Sequence, residues 1–182
     1  MTAAHLTIRR AHCGADVESV VKIWTEAAAW LAGRRLDQWQ YPVRRDRIQY
    51  AAATGSLWLI EDVVQELAAT VTLDEYADPE LWTPEDGPEQ ALYLHRLVVR
   101  SNARGAQLGS YILDWCGERA ERQGKPWLRL DAWTNNPGLH RYYVDQQFHL
   151  VRTVDKPGIV SGVLFERPSR LRVQSGELLH EQ

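Results

Sequence analysis

Cysteine, the residue that stabilises small disulfide-bonded proteins and many metal sites, is rare in the 182-residue chain. Its two cysteines, Cys13 and Cys116, are too few and too far apart for a disulfide framework or a metal cluster. A chain of this length can form a hydrophobic core that needs neither. We therefore expect no metal site. The helical spacing of Cys116 from Leu108 and Ile112 predicts that its thiol packs in the core.

Long apolar runs and an excess of one charge are also missing. No apolar stretch approaches the ~18–20 residues of a membrane span, and the first residues lack the apolar core of a signal peptide. Lys and Arg total 21 and Asp and Glu total 24, which gives a formal net charge of −3. This near balance argues against a phosphate-binding surface that covers the whole molecule. We expect a cytoplasmic protein that binds neither a membrane nor a nucleic acid.

Strand and helix patterns alternate along the chain. Apolar periodicity predicts the order β-α-α-β-β-β-α-β-α-β-β, with Asp16 as the N-cap of the first helix. The last two strands are predicted over residues 151–154 and 159–166. Mixed order of this kind favours an α/β fold, in which helices cover a central sheet on both faces. The polar residues 168–182 are expected to form a tail or an edge extension.

The most informative segment is residues 98–110, where a strand enters a turn of small residues that opens a long helix. The amides at a helix N-terminus bind phosphate, and glycine lets a ligand approach the backbone closely. The segment lacks the Gly-Lys-Ser/Thr ending of a P-loop and the spacing of a dinucleotide-binding GxGxxG motif. It therefore indicates either a phosphate-containing ligand outside those two classes or a structural strand–turn–helix unit, which is common.

A second segment, residues 135–148, together with the first matches the motifs of a known protein family. Residues 104–109 match the ends of the coenzyme-A loop Arg/Gln-x-x-Gly-x-Gly/Ala, and Asn136, Tyr143 and Phe148 fall on a later Asn, Tyr and Phe in register. With these two blocks the chain resembles the GNAT N-acetyltransferases over roughly residues 6–166. The resemblance implies a single α/β (α+β) domain over residues 1–167, with a central mixed, mostly antiparallel sheet.

Two glycines of the family pattern are replaced here, by Gln107 and Gln147. Gln147 is expected to be tolerated at the end of a short helix. Gln107 stands where the coenzyme loop becomes a helix, so we expect right-handed helical dihedrals there and no demand for a positive φ. The alternative is a catalytically degenerate relative that binds an acyl-CoA or a partner without transfer.

The resemblance implies acetyl-CoA as the acyl donor and direct attack by a primary amine in a ternary complex. The residues it assigns to the coenzyme are Leu97, Val98, Val99, Arg104, Gly105, Ala106, Gln107, Leu108, Gly109, Ser110 and Asn136. Backbone amides near Val98 and Val99 would stabilise the oxyanion. Tyr143 would be the general acid for the departing thiolate, or else an aromatic that packs on the sheet. For Asn136, a helix N-cap is an equally good explanation.

The general base and the acceptor are less determined. Asp131 and His95 are equal candidates for the base, and Asp74 and Glu75 close the preceding strand. Trp30, Trp39 and Trp82 could wall a pocket for an apolar or cationic amine, or could pack on the sheet or in a dimer interface. A small-molecule amine and a peptide amine both remain open as acceptors, as do a monomer and a homodimer.

Overall fold

Eight strands and four α-helices make up the described part of the chain, and all but the last strand follow the predicted order. The computed structural model describes residues 6–64, 66–103, 107–175 and 178–182. The strands are β1 (Leu6–Arg10), β2 (Leu57–Glu61), β3 (Leu67–Asp74), β4 (Ala91–Val99), β5 (Trp127–Ala132), β6 (His149–Thr153), β7 (Val163–Pro168) and β8 (Leu179–Glu181). The α-helices are α1 (Ala15–Ala32), α2 (Arg45–Ala53), α3 (Leu108–Arg122) and α4 (Pro137–Asp145).

The strands form one mixed sheet in the order β6-β7-β5-β4-β3-β2-β1-β8. The pairs β4–β5 and β1–β8 are parallel. The pairs β1–β2, β2–β3, β5–β7 and β6–β7 are antiparallel. The predicted α/β class with a central mixed sheet is therefore confirmed.

The described residues divide into two compact units. The first unit comprises residues 6–72, 96–112 and 175–182, and the second comprises residues 73–95 and 113–174. In the first unit α1 and α2 bury an apolar cluster that includes Val20, Ile23, Ile48 and Leu59. In the second unit a separate cluster contains Leu81, Trp82, Ala91, Tyr93 and Leu164. Each unit thus has apolar packing of its own.

Two predicted details of the elements differ from the structure. Gly14, with a φ of 94°, is the N-cap of α1; the predicted cap Asp16 lies in the first turn and its carboxylate pairs with Arg9 at 2.8 Å. The closing strands run over His149–Thr153 and Val163–Pro168, so both predicted ranges were wrong at their ends. Of the two expectations for residues 168–182, the edge extension is confirmed, because β8 extends the sheet edge beside β1.

The prediction for Cys116 is confirmed. Its side chain is fully buried in α3, and loss of hydration raises the pKa of the thiol to about 12. The thiol therefore stays protonated at neutral pH and packs as a small apolar group. Among the described residues, no helix has both the length and the apolar character that crossing a membrane requires.

Candidate active site

Three polar side chains of the second unit meet where β3, β4 and β5 lie near one another. Pairing of β4 with β5 sets Leu94 opposite Leu130, so His95 and Asp131 are the next residues on adjacent strands. His95 Nδ1 lies 4.0 Å from Asp131 Oδ1, and His95 Nε2 lies 3.1 Å from Asp74 Oδ1. Both sequence candidates for the base therefore stand in one cluster, and Asp74 completes it.

The Asp74 carboxylate is fixed by its own backbone. Its Oδ1 accepts a hydrogen bond of 2.9 Å from the amide of Tyr76, which forms an Asx turn directly after β3. The neighbouring candidate Glu75 is directed to Lys125, whose Nζ donates to it at 2.9 Å. Asp74 is therefore the carboxylate at the end of β3 that contacts His95.

The cluster is accessible from solvent. The side chains of His95, Asp74 and Asp131 are 19%, 31% and 23% exposed. A polar ligand can therefore reach them, whereas a fully buried histidine between two acids would serve only the packing of the sheet.

Tyr143 lies on α4 in the interior of the second unit and is 7% exposed. Burial raises the pKa of its phenol well above the usual value, and the negative charge of nearby Asp131 raises it further. The phenol is therefore fully protonated at neutral pH. Of the predicted catalytic residues, the structure brings Asp131 and His95 within 4.0 Å of each other, and it places Tyr143 in the interior of the same unit.

The spacing of Asn136, Tyr143, Gln147 and Phe148 has a structural explanation. Asn136 is the N-cap of α4, and its side-chain oxygen accepts a hydrogen bond of 3.1 Å from the amide of Leu139. At the other end, the amides of Gln147 and Phe148 donate to the carbonyls of Val144 and Tyr143 at 2.9 and 3.0 Å. These two bonds form a Schellman motif, which ends the helix.

The Schellman motif requires a left-handed residue at the position of Gln147. Its φ is 64°, a conformation in which glycine is unstrained and glutamine is not. The motif also brings the residue after it against the helix, and here the rings of Phe148 and Tyr143 meet edge-on at 5.6 Å. The residues of this block therefore begin α4, end it, and hold Tyr143 in place.

Apart from Asn136, the residues expected to bind the coenzyme belong to the first unit. In β4, Arg96 has a φ of 52°, an uncommon backbone conformation directly before Leu97, Val98 and Val99. The predicted ligands Arg104, Gly105 and Ala106 lie outside the described residues.

Gln107 corrects a prediction. Its φ is 57°, so the residue is left-handed and not right-handed as expected. Its carbonyl accepts hydrogen bonds of 2.9 and 3.2 Å from the amides of Ser110 and Tyr111, which opens the first turn of α3. A glycine would fit this position without strain. The side chains of Leu108 and Ser110 are buried, and Gly109 lies between them in the same first turn.

The three tryptophans proposed for the acceptor differ in environment. Trp82 is 3% exposed, packs edge-on against Tyr93 at 5.5 Å and lies beneath the guanidinium of Arg129. That burial makes it a core residue of the second unit. In the first unit Trp39 and Trp30 are partly buried. Trp39 stacks on Trp24 with ring centroids 6.1 Å apart, and the guanidinium of Arg34 lies 3.6 Å above the Trp30 ring.

Comparison with known proteins gives the same class as the motifs. The model of the acetyltransferase (GNAT) family matches residues 21–148. The uncharacterized N-acetyltransferase YesJ of Bacillus subtilis (strain 168) is 33% identical over 136 residues, which cover 70% of this chain and 73% of YesJ. This chain therefore belongs to the GNAT acetyltransferase family.

Two solved structures agree in fold. A GNAT-family acetyltransferase from Listeria monocytogenes 4b F2365 has a TM-score of 0.74 at 21% identity, covering 90% of this chain and 94% of its own. YncA from Salmonella typhimurium, solved with its cofactor acetyl-CoA, has a TM-score of 0.63 at 16% identity, covering 93% and 96%. The family assignment supports an acyltransferase, and these neighbours show that the chain has the GNAT fold.

Proposed function

We propose that the protein transfers an acetyl group from acetyl-CoA to a primary amine, by direct attack of the amine in a ternary complex. The observation that carries the proposal is the cluster in the second unit in which His95 lies 3.1 Å from Asp74 and 4.0 Å from Asp131. A buried protonated phenol can act as an acid, and an accessible imidazole between two carboxylates can act as a base. The reaction needs one group of each kind.

His95 takes the proton that the acceptor must lose before it attacks. A neutral imidazole has one unprotonated ring nitrogen, which can accept that proton. The amine nitrogen then bonds to the thioester carbon. Asp131 lies 4.0 Å from His95 and stabilises both the incoming cation and the imidazolium.

Tyr143 donates to the leaving group. Collapse of the tetrahedral intermediate breaks the carbon–sulfur bond, and the thiolate of a coenzyme with a pKa of about 8.5 leaves more readily when a proton donor meets it. Burial keeps the phenol of Tyr143 protonated, so the donor is available at every turnover.

The coenzyme binds through backbone amides of the first unit. The first turn of α3, opened at Gln107, presents N–H groups and the positive end of the helix dipole to the pyrophosphate. Arg96, with its uncommon backbone conformation, directly precedes Leu97, Val98 and Val99, whose amides we assign to the acyl and pantetheine end of acetyl-CoA. Asn136 contributes by starting α4 and thereby fixing Tyr143.

For the acceptor, Trp30 and Trp39 are the residues we assign to the pocket wall, because each is only partly buried. Trp82 is left out of this set because it is buried. An aromatic wall suits both small amines and peptide amines.

Thermal shift and turnover together test this function. We expect acetyl-CoA to raise the melting temperature, and at least one member of a panel of primary amines to cause release of free CoA thiol. Stabilisation without thiol release from any amine would favour the degenerate relative that binds acyl-CoA without transfer. No stabilisation at all would overturn both.

A further inference from the structure

Asp74 has a function that the general mechanism does not assign. We propose that Asp74 is a positioning residue that holds His95 in the tautomer with the hydrogen on Nε2, so that Nδ1 and Asp131 together receive the acceptor as an ammonium ion. This inference rests on the proposed function and specifies its base and the charge state of its substrate.

The tautomer follows from which groups can donate. An ionised carboxylate only accepts hydrogen bonds, so the 3.1 Å contact between Asp74 Oδ1 and His95 Nε2 requires the hydrogen on Nε2. The same oxygen accepts the Tyr76 amide, which prevents the carboxylate from rotating away. In the neutral ring, Nδ1 then carries a lone pair.

Two hydrogen-bond acceptors, His95 Nδ1 and Asp131 Oδ1, consequently lie near each other. His95 Nδ1 and Asp131 Oδ1 lie 4.0 Å apart, too far for a direct hydrogen bond. A nitrogen that donates to both can lie about 2.9 Å from each, the usual length of such bonds. A primary ammonium has the required donors and the required charge.

The proton balance is complete with these groups. The ammonium gives one proton to His95 Nδ1, and the imidazolium then donates to Asp74 and Asp131. The free amine attacks the thioester carbon, and Tyr143 gives its proton to sulfur as the carbon–sulfur bond breaks. The second proton lost by the nitrogen then restores the phenol of Tyr143. His95 releases its proton to solvent, which returns it to the receiving state.

Nitrogen NMR of histidine-labelled protein tests the tautomer without any need for turnover. With His95 assigned from the His95→Gln spectrum, we expect a protonated Nε2, an unprotonated Nδ1 and a slowly exchanging Nε2 proton. Asp74→Ala should abolish the slow exchange. Asp78→Ala should keep it, because Asp78 makes the same Asx turn, to the Glu80 amide at 2.9 Å, without a histidine contact. A protonated Nδ1 in the wild type, or unchanged exchange in Asp74→Ala, would overturn the proposal.

The ammonium site is tested with simple cations. Ethylammonium chloride should shift the Nδ1 resonance of His95 in a saturable manner, whereas tetramethylammonium, which has no N–H donor, should not. Equal responses to both ions, or none to either, would contradict a two-acceptor site.

Kinetics separate positioning from folding. Asp74→Asn keeps the Asx turn but removes the charge, so we expect kcat to fall at least about tenfold with the KM for acetyl-CoA unchanged. An equal loss in Asp78→Asn, or a loss confined to the KM for acetyl-CoA, would overturn the role of Asp74. If the wild type acetylated no amine, the proposed function would fail, and the NMR results would still decide the relation of Asp74 to His95.

Discussion

The ring of Phe148 lies edge-on against the ring of Tyr143 at 5.6 Å, across the turn that ends α4. Phe148 donates its amide hydrogen to the Tyr143 carbonyl in the Schellman motif. A hydrophobic contact between these two positions frequently accompanies the motif. One local helix ending therefore fixes the side chain that we assign as the general acid. Two predictions depend directly on this arrangement.

Replacement of Tyr143 by Phe keeps the ring packing and removes the hydroxyl. We expect kcat to fall by ~10²–10⁴, the usual contribution of an acid or base, with little change in the Kd for acetyl-CoA. Steady-state assays and calorimetric titration measure the two quantities. Tyr142→Phe is the matched control, since it removes the neighbouring hydroxyl. Near-wild-type turnover of Tyr143→Phe would assign the acid to another group.

Gln147 ends the same helix in a strained, left-handed backbone conformation. At a φ of 64°, Gln147→Gly should raise the free energy of unfolding by ~1 kcal/mol, because a left-handed residue with a Cβ is strained by about that amount more than glycine. Gln147→Ala shortens the side chain but keeps the Cβ, so it should give no gain. Urea unfolding measures both. Equal stability of the Gly and Ala variants would mean that the turn is not strained.

The sequence predicts this part of the molecule well because its determinants are local. Asn136, Tyr143 and Phe148 are set by hydrogen bonds within one helix and its cap, so spacing along the chain carries the information. Asp74 is different, because its contact with His95 joins two strands and no spacing reveals which of several acids makes it. Trp82 was assigned to a pocket for a similar reason, since its burial depends on Tyr93 and Arg129 far away in sequence.

Gln107 was mispredicted for another reason. Propensity favours right-handed dihedrals for glutamine, yet the entry to α3 fixes a φ of 57°. Gln107→Gly keeps the backbone path without strain, so we expect the Kd for acetyl-CoA to change by no more than about tenfold, or ~1.4 kcal/mol. Calorimetric titration of both forms measures this. Binding that is undetectable in the wild type and present in the glycine variant would mean that glutamine blocks the loop.

Replacement of Trp82 should change stability, whereas replacement of Trp30 should change the KM for the acceptor. Trp82→Ala should lower the free energy of unfolding by ~3–5 kcal/mol, because it empties a buried site beneath Arg129. Trp30→Ala should leave stability nearly unchanged and raise the KM for the acceptor more than the KM for acetyl-CoA. Urea unfolding and steady-state kinetics distinguish the two results. An unchanged acceptor KM in Trp30→Ala would remove that residue from the pocket.

Transfer itself is the central claim, and mass spectrometry of the acceptor measures it most directly. We incubate the wild-type protein with acetyl-CoA and a panel of primary amines and peptides that have a free amino terminus. At least one acceptor should become heavier by one acetyl group, with one free thiol released per product. His95→Gln and Tyr143→Phe should each slow that product strongly while acetyl-CoA still binds. Tight binding of acetyl-CoA by the wild type without acetylation of any amine or peptide in the panel would contradict the account.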